Sequence, residues 1–145
     1  DIFFDDRARA ARAVEVGREV SGLGDRLHDK LGSYSKGMTR KLLLARTVMT
    51  EPTIAILDEP TSGLDVINAL ELRERIKKLA AGGMSVLLSS HNMLEIEFLS
   101  DRVSMIADGV IHATGTPAEL KGRYDAENLE QVFARVVADR KAVTA

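Results

Sequence analysis

The sequence has 145 residues, of which 45% are hydrophobic and 29% charged, enough for one globular domain with a sizeable core and too short for two ordinary ones. Its 20 basic and 22 acidic residues leave a net charge of -2, so no global positive field points to nucleic acid or an anionic membrane, and function must rest on local sites. The absence of cysteine excludes a disulfide scaffold and thiolate metal sites and makes a reducing compartment the default. The start Asp1-Ile2-Phe3-Phe4-Asp5-Asp6 lacks the basic residues of a secretion signal, and no apolar run approaches the ~20 residues that span a bilayer.

In chain order, Ala10, Ala11, Val14 and Val16 among Arg9, Arg12, Glu15, Arg18 and Glu19 predict a helix over 7–20. Ser21-Gly22-Leu23-Gly24 predicts a turn, followed by a loop to about Ser35. Leu42, Leu43, Leu44, Ala45 and Val48 opposite Arg40, Lys41 and Arg46 predict a helix over 39–49 that Pro52 stops. The apolar run 53–57 predicts a strand buried on both faces, closed by Asp58-Glu59-Pro60. Leu70, Leu72, Ile76 and Leu79 give a helix over 67–80, ended by Gly82-Gly83, and 85–89 is a second buried-type strand. Strand, helix, strand in that order is the right-handed crossover that builds a parallel sheet, so the fold class is α/β, with a mostly helical lobe over 7–49. Beyond it, the pattern predicts a helix over 93–99 and strands over 103–107 and 110–113 around an Asp108-Gly109 hairpin turn. Thr116-Pro117-Ala118-Glu119 is a helix start, and 126–141 is an amphipathic helix through Leu129, Val132, Phe133, Val136 and Val137.

Four segments are candidates for chemistry. Asp58 and Glu59 end a buried parallel strand, where open α/β sheets bind ligands; alternation sends their side chains different ways, so one can serve a metal while the other serves a water. A plain polar strand end is the competing reading. Thr61-Ser62-Gly63-Leu64-Asp65 either carries function or simply leads into the next helix with Asp65 as its N-cap. Tyr34-Ser35-Lys36-Gly37-Met38 joins a hydroxyl, a glycine that admits close backbone approach, and the free N–H groups of a helix start, a combination suited to phosphate; ordinary capping by Ser35 is the alternative. His91 follows the second strand after Ser89-Ser90, where an imidazole can donate to a phosphate or position a water, although a lone histidine is more often a surface residue. His28 and His112 have no such context.

Taken in order, these segments closely resemble the ATP-binding cassette (ABC) family of nucleotide-binding domains. Tyr34 to Met38 is similar to its signature loop, Ile54 to Glu59 to its Walker B strand, Ser62-Gly63-Leu64-Asp65 to its D-loop and His91 to its switch histidine, over Leu31 to about Tyr124. Lys36 stands where the family usually has glycine and Met38 where it usually has glutamine. Such variants, and a tail like Asn128-Leu129-Glu130-Gln131-Val132-Phe133, resemble members that export drugs, sodium or polysaccharides. The resemblance implies a partial P-loop NTPase-like parallel sheet with a helical subdomain: residues 1–50 the signature subdomain, 51–125 the C-terminal part of the ATPase core, 126–145 an amphipathic helix. It implies an ATPase that couples hydrolysis of ATP, with Mg²⁺, to transport. Asp58 would hold Mg²⁺ through water, Glu59 would act as general base, and His91 would bridge to the γ-phosphate. Ser35, Lys36, Gly37 and Asp65 would serve nucleotide binding, Ser35 and Gly37 at the γ-phosphate held by the partner and Asp65 against that partner. The implied partners are a second cassette, paired head to tail, and an integral membrane transporter subunit at the cytoplasmic face of the cell membrane, with no nucleic acid.

The phosphate-holding motif G-x-x-x-x-G-K-[ST] is not in the sequence, which has no Gly-Lys dipeptide, and its one glutamine is Gln131. With Asp1 in place of an initiator methionine, the expectation is the C-terminal part of a cassette whose P-loop lies upstream, inactive as an ATPase by itself. The alternatives are a non-transport cassette ATPase of the translation or DNA-repair branches, and a non-catalytic interaction module.

Overall fold

The first helix, α1 (Arg7–Ser21), starts where the Asp6 carboxylate accepts the Ala8 N–H at 2.8 Å, satisfying a donor that has no intrahelical partner. It ends at Gly22, whose φ of 58° is the left-handed conformation that glycine adopts without a Cβ clash. A Cβ there would also collide with the Arg75 guanidinium, which donates to the Val20 carbonyl at 2.9 Å and so caps the end of α1. A computed structural model describes residues 6–143; residues 1–5 and 144–145, the outer ends of the expected first and third segments, lie outside the described residues. The chain forms two compact units, one up to Ser89 and one from Ser90 onward.

In the first unit, the expected loop up to Ser35 contains two short 3-10 turns, Gly24–His28 and Leu31–Ser33. Helix α2 (Lys36–Val48) begins earlier than the expected Thr39, because the Ser35 hydroxyl accepts the Met38 N–H at 3.2 Å and closes the first turn there. Strand β1 (Ile54–Asp58), helix α3 (Val66–Ala81) and strand β2 (Ser85–Ser89) form the predicted crossover. The two strands are parallel, in register from Ile54 opposite Ser85 to Asp58 opposite Ser89. Leu44, Ala45 and Val48 of α2, Ala55 and Leu57 of β1, and Leu72 and Ile76 of α3 make the core of this unit. Arg12 of α1 pairs with Glu51 beyond α2 through two bonds of 2.8 and 3.0 Å, and Lys41 of α2 pairs with Glu71 of α3.

The expectation of strands buried on both faces is corrected. Ala55 and Leu57 point into the core, but Ile54 and Ile56 are 54% and 68% exposed and Leu87 is 59% exposed. Helices α2 and α3 pack on one side, and among the described residues no element covers the other. An all-apolar run hides the period of two that the burial then reveals.

The second unit holds helix α4 (Met93–Leu99), the antiparallel strands β3 (Val103–Ala107) and β4 (Val110–Gly115), and helices α5 (Pro117–Arg123) and α6 (Leu129–Val143). Asp108 and Gly109, with φ of 48° and 76°, make the hairpin turn that the sequence predicts. Strand β4 runs past the expected Ala113 because Thr114 and Gly115 still pair with Ser104 and Val103. The reciprocal bonds of Thr116 and Glu119, 3.1 and 2.9 Å, start α5 as a capping box. Helix α6 begins later than the expected 126, because Asn128 accepts the Gln131 N–H at 2.9 Å and fixes the start. Val103, Met105, Ala113, Leu120, Leu129, Val132 and Val136 form the core of this unit.

Candidate functional site

The parallel register places Asp58 and Ser89 side by side at the C-terminal ends of β1 and β2. The Ser89 hydroxyl donates to Asp58 Oδ1, and the Glu59 N–H donates to the Ser89 carbonyl at 2.9 Å. The second Asp58 oxygen carries no hydrogen bond among the described residues, and the side chain is exposed. Glu59 leaves the strand with φ of 46°, a left-handed conformation that an ordinary side chain adopts at a cost of about 1–2 kcal/mol. That turn takes the chain off the strand: Asp58 is the last residue of β1, while Glu59 enters the bend closed by the Ser62 N–H on the Glu59 carbonyl at 3.1 Å. A shallow cavity of about 160 Å³ in this unit is lined by Arg40 and Thr47 of α2 and by Ile56, Asp58 and Pro60.

The chemistry of Asp58 suits a hard divalent cation held partly through water, since Mg²⁺ takes oxygen ligands and is usually held by one or two carboxylates with retained waters. Among the described residues no group of three acidic, histidine or cysteine side chains is placed to hold a metal ion.

At the start of α2 the segment 34–38 is split by the helix boundary. Tyr34 lies outside and its hydroxyl donates to the Arg26 carbonyl at 2.7 Å, which anchors the loop; Lys36, Gly37 and Met38 are in the first turn. Ser35 therefore caps, as the simpler reading held, yet a hydroxyl that accepts the Met38 N–H keeps its own proton to donate. Lys36 is exposed and Gly37 is buried.

Asp65 likewise caps α3, accepting the Asn68 N–H at 3.0 Å and the Asn68 side-chain amide at 2.6 Å. The Asn68 N–H first, and then its side chain, hold the Asp65 carboxyl below its ordinary 3.8. A depressed acid contributes stability that is fully present above its unfolded value and is lost as pH falls through the lower folded value. Asp65→Asn keeps a capping oxygen and has no proton to gain. Its melting temperature is therefore expected to fall less than that of the wild type between pH ~5 and pH ~3, as thermal melts of both proteins would read. An equal acid-induced drop would exclude Asp65 as a contributor.

Thus Asp58 and Glu59 share one strand end, and Gly37 and Asp65 both adjoin Asn68. His91, the second residue of the second unit, is exposed in a bend where Ser90 and Asn92 are tied to Glu95. The Ser90 hydroxyl donates to the Glu95 carboxylate at 2.6 Å and accepts the Asn92 N–H at 3.1 Å, while Asn92 accepts the Glu95 N–H at 3.1 Å. Glu95 is 1% exposed. Sequence reasoning singled out neither Glu95 nor Asn68; the signal for each was a polar residue at helical spacing from a candidate residue, His91 and Asp65.

A family model described as ABC transporter matches residues 5–62. The chain is 44% identical over 100 residues to a fluoroquinolones export ATP-binding protein of Mycobacterium tuberculosis, covering 69% of this chain and 33% of that protein. It is 38% identical over 121 residues to the linearmycin resistance ATP-binding protein LnrL of Bacillus subtilis, covering 83% and 39%. It superposes on a solved ATP binding subunit of an ABC transporter with a TM-score of 0.76 at 26% identity, covering 93% of this chain and 57% of that one. The chain thus spans roughly a third of the length of these curated relatives.

Proposed function

The chain belongs to the ABC transporter family and has the α/β fold of its ATPase domains, and on that premise we propose that it is the C-terminal part of an ATP-hydrolysing transporter subunit. The observation that carries this reading is the end of the parallel strand pair: Asp58 held by Ser89 beside a Glu59 that a left-handed turn aims elsewhere. A metal carboxylate and a general base that are neighbours in the chain must serve different atoms, and the left-handed turn gives the second its own backbone direction. Asp58 would hold Mg²⁺ through water. Glu59 takes the proton of the attacking water. His91 donates toward the γ-phosphate from its turn, and the Ser35 hydroxyl and Lys36 meet nucleotide phosphate at the start of α2 with Gly37 admitting close approach. Bound Mg²⁺ neutralises charge on the phosphates. Catalysis is then positioning and charge stabilisation, as phosphoryl transfer generally is.

Within the same reading, residues 1–50 are the signature subdomain and 51–125 part of the ATPase core, with a C-terminal helix beyond. The partners are a second cassette, head to tail, and a membrane subunit at the cytoplasmic face. No helix among the described residues is long and apolar enough to cross a membrane. Export is favoured because two of the relatives are named for export and resistance.

Hydrolysis tests the reading. The 145-residue chain alone is expected to show negligible Mg²⁺-dependent ATP turnover, and the complete protein that contains it to hydrolyse ATP and co-purify with a membrane subunit. Turnover by the chain alone would contradict the need for a P-loop supplied from elsewhere. Co-purification of the complete protein with ribosomes or DNA would place it in a non-transport branch, and failure to bind ATP would leave an interaction module.

A further inference from the structure

Gly37 sits in the first turn of α2, and a Cβ built on it would lie 2.6 Å from both Cγ and Oδ1 of Asn68 on α3. The same carboxamide donates through Nδ2 to Asp65 Oδ2 at 2.6 Å, and the Asn68 N–H donates to Asp65 Oδ1 at 3.0 Å. One side chain thus fills the space that glycine leaves at the start of one helix and holds the capping acid at the start of the next. Any side chain at position 37 makes the Asn68 carboxamide shift, which disturbs its bond to Asp65. Lys41 and Glu71 pair one turn further along the same two helices.

We propose that Asn68 is a positioning residue that couples Gly37 to Asp65, so that the start of α2 and the turn before α3 hold one fixed arrangement. The inference deepens the proposed function and rests on its reading of both segments as nucleotide-facing. It assigns Gly37 a second requirement besides close ligand approach: space for Asn68.

The experiment is a double-mutant cycle in the complete protein, read by ATP turnover and by melting temperature. Asn68→Ala is expected to lower kcat about threefold to tenfold while leaving the KM for Mg-ATP within about twofold, since Asn68 acts by positioning Gly37 and Asp65 rather than on the nucleotide itself. Gly37→Ala is expected to lower kcat about tenfold or more and to lower the melting temperature. With Asn68→Ala already present, Gly37→Ala is expected to cost little further melting temperature, because the collision is gone, while the turnover loss that comes from close ligand approach remains; contacting residues of this kind couple rather than add. If Gly37→Ala alone does not fold, recovery of a folded protein on adding Asn68→Ala is the same result. Additive losses of melting temperature, or an Asn68→Ala protein with wild-type kcat, would overturn the inference. A wild-type protein without turnover would refute the proposed function, while the melting cycle would still decide whether Asn68 couples the two positions.

Discussion

Glu59→Gln in the complete protein is expected to lower ATP turnover by about 10²-fold to 10⁴-fold while ATP binding is retained. The amide keeps the shape of the side chain and one acceptor oxygen but cannot take a proton from water. Asp58→Asn is expected to behave differently, weakening Mg²⁺ association and therefore nucleotide affinity as well as turnover. The contrast follows from two adjacent carboxylates at one strand end serving different atoms, Asp58 on the last strand residue and Glu59 in the left-handed turn that leaves it. Steady-state hydrolysis and equilibrium ATP binding on both variants check it. Near-normal turnover in Glu59→Gln would remove Glu59 from the role of base, and identical effects of the two variants would remove the division of labour.

Leu129→Ala is expected to destabilise the second unit by about 2–5 kcal/mol, the range for emptying a fully buried leucine site. Leu129 is 0% exposed and belongs to the core with Leu120, Val132, Val136, Val103 and Met105, so β3, α5 and α6 all lose contacts. Denaturant unfolding of the complete protein followed by hydrogen exchange at β3 and α6 would read the loss. Because His91 and Glu95 lie in this unit, turnover is expected to fall at temperatures where the unit opens. A change below about 1 kcal/mol would mean that the site collapses around the smaller side chain.

The helices and strands were largely legible because their signals were local. Leu72 and Ile76 at helical spacing, Thr116-Pro117 at a helix start and Asp108-Gly109 at a turn each act within a few residues, and each is found in the structure. The misread boundaries at α2 and α6 have one cause: Ser35 and Asn128 cap through side-chain bonds that compete with apolar periodicity as markers of a helix start. The exposed face of β1 was hidden because Ile54, Ala55, Ile56 and Leu57 are all apolar, so no alternation marks which face is covered. For the site, type and order of residues identified the strand-end carboxylates, but not the left-handed turn at Glu59, the Ser89 bond to Asp58, or the coupling through Asn68. Those depend on residues brought together from different elements, and on a backbone angle that no spacing announces.

On the proposed function, Asp58 and Glu59 of one cassette act on a nucleotide that Ser35 of the second cassette completes, and where that second cassette is another copy of the protein the shared site can be tested by mixing variants. Complementation tests it most directly: two complete proteins, one carrying Glu59→Gln and the other Ser35→Arg, are each inactive and are mixed in equal amounts under conditions that allow dimers to exchange. In a head-to-tail dimer the mixed species has one site with both defects and one with neither. Random pairing is therefore expected to restore about a quarter of wild-type turnover. A mixture no more active than the sum of its two components would contradict a site shared between copies.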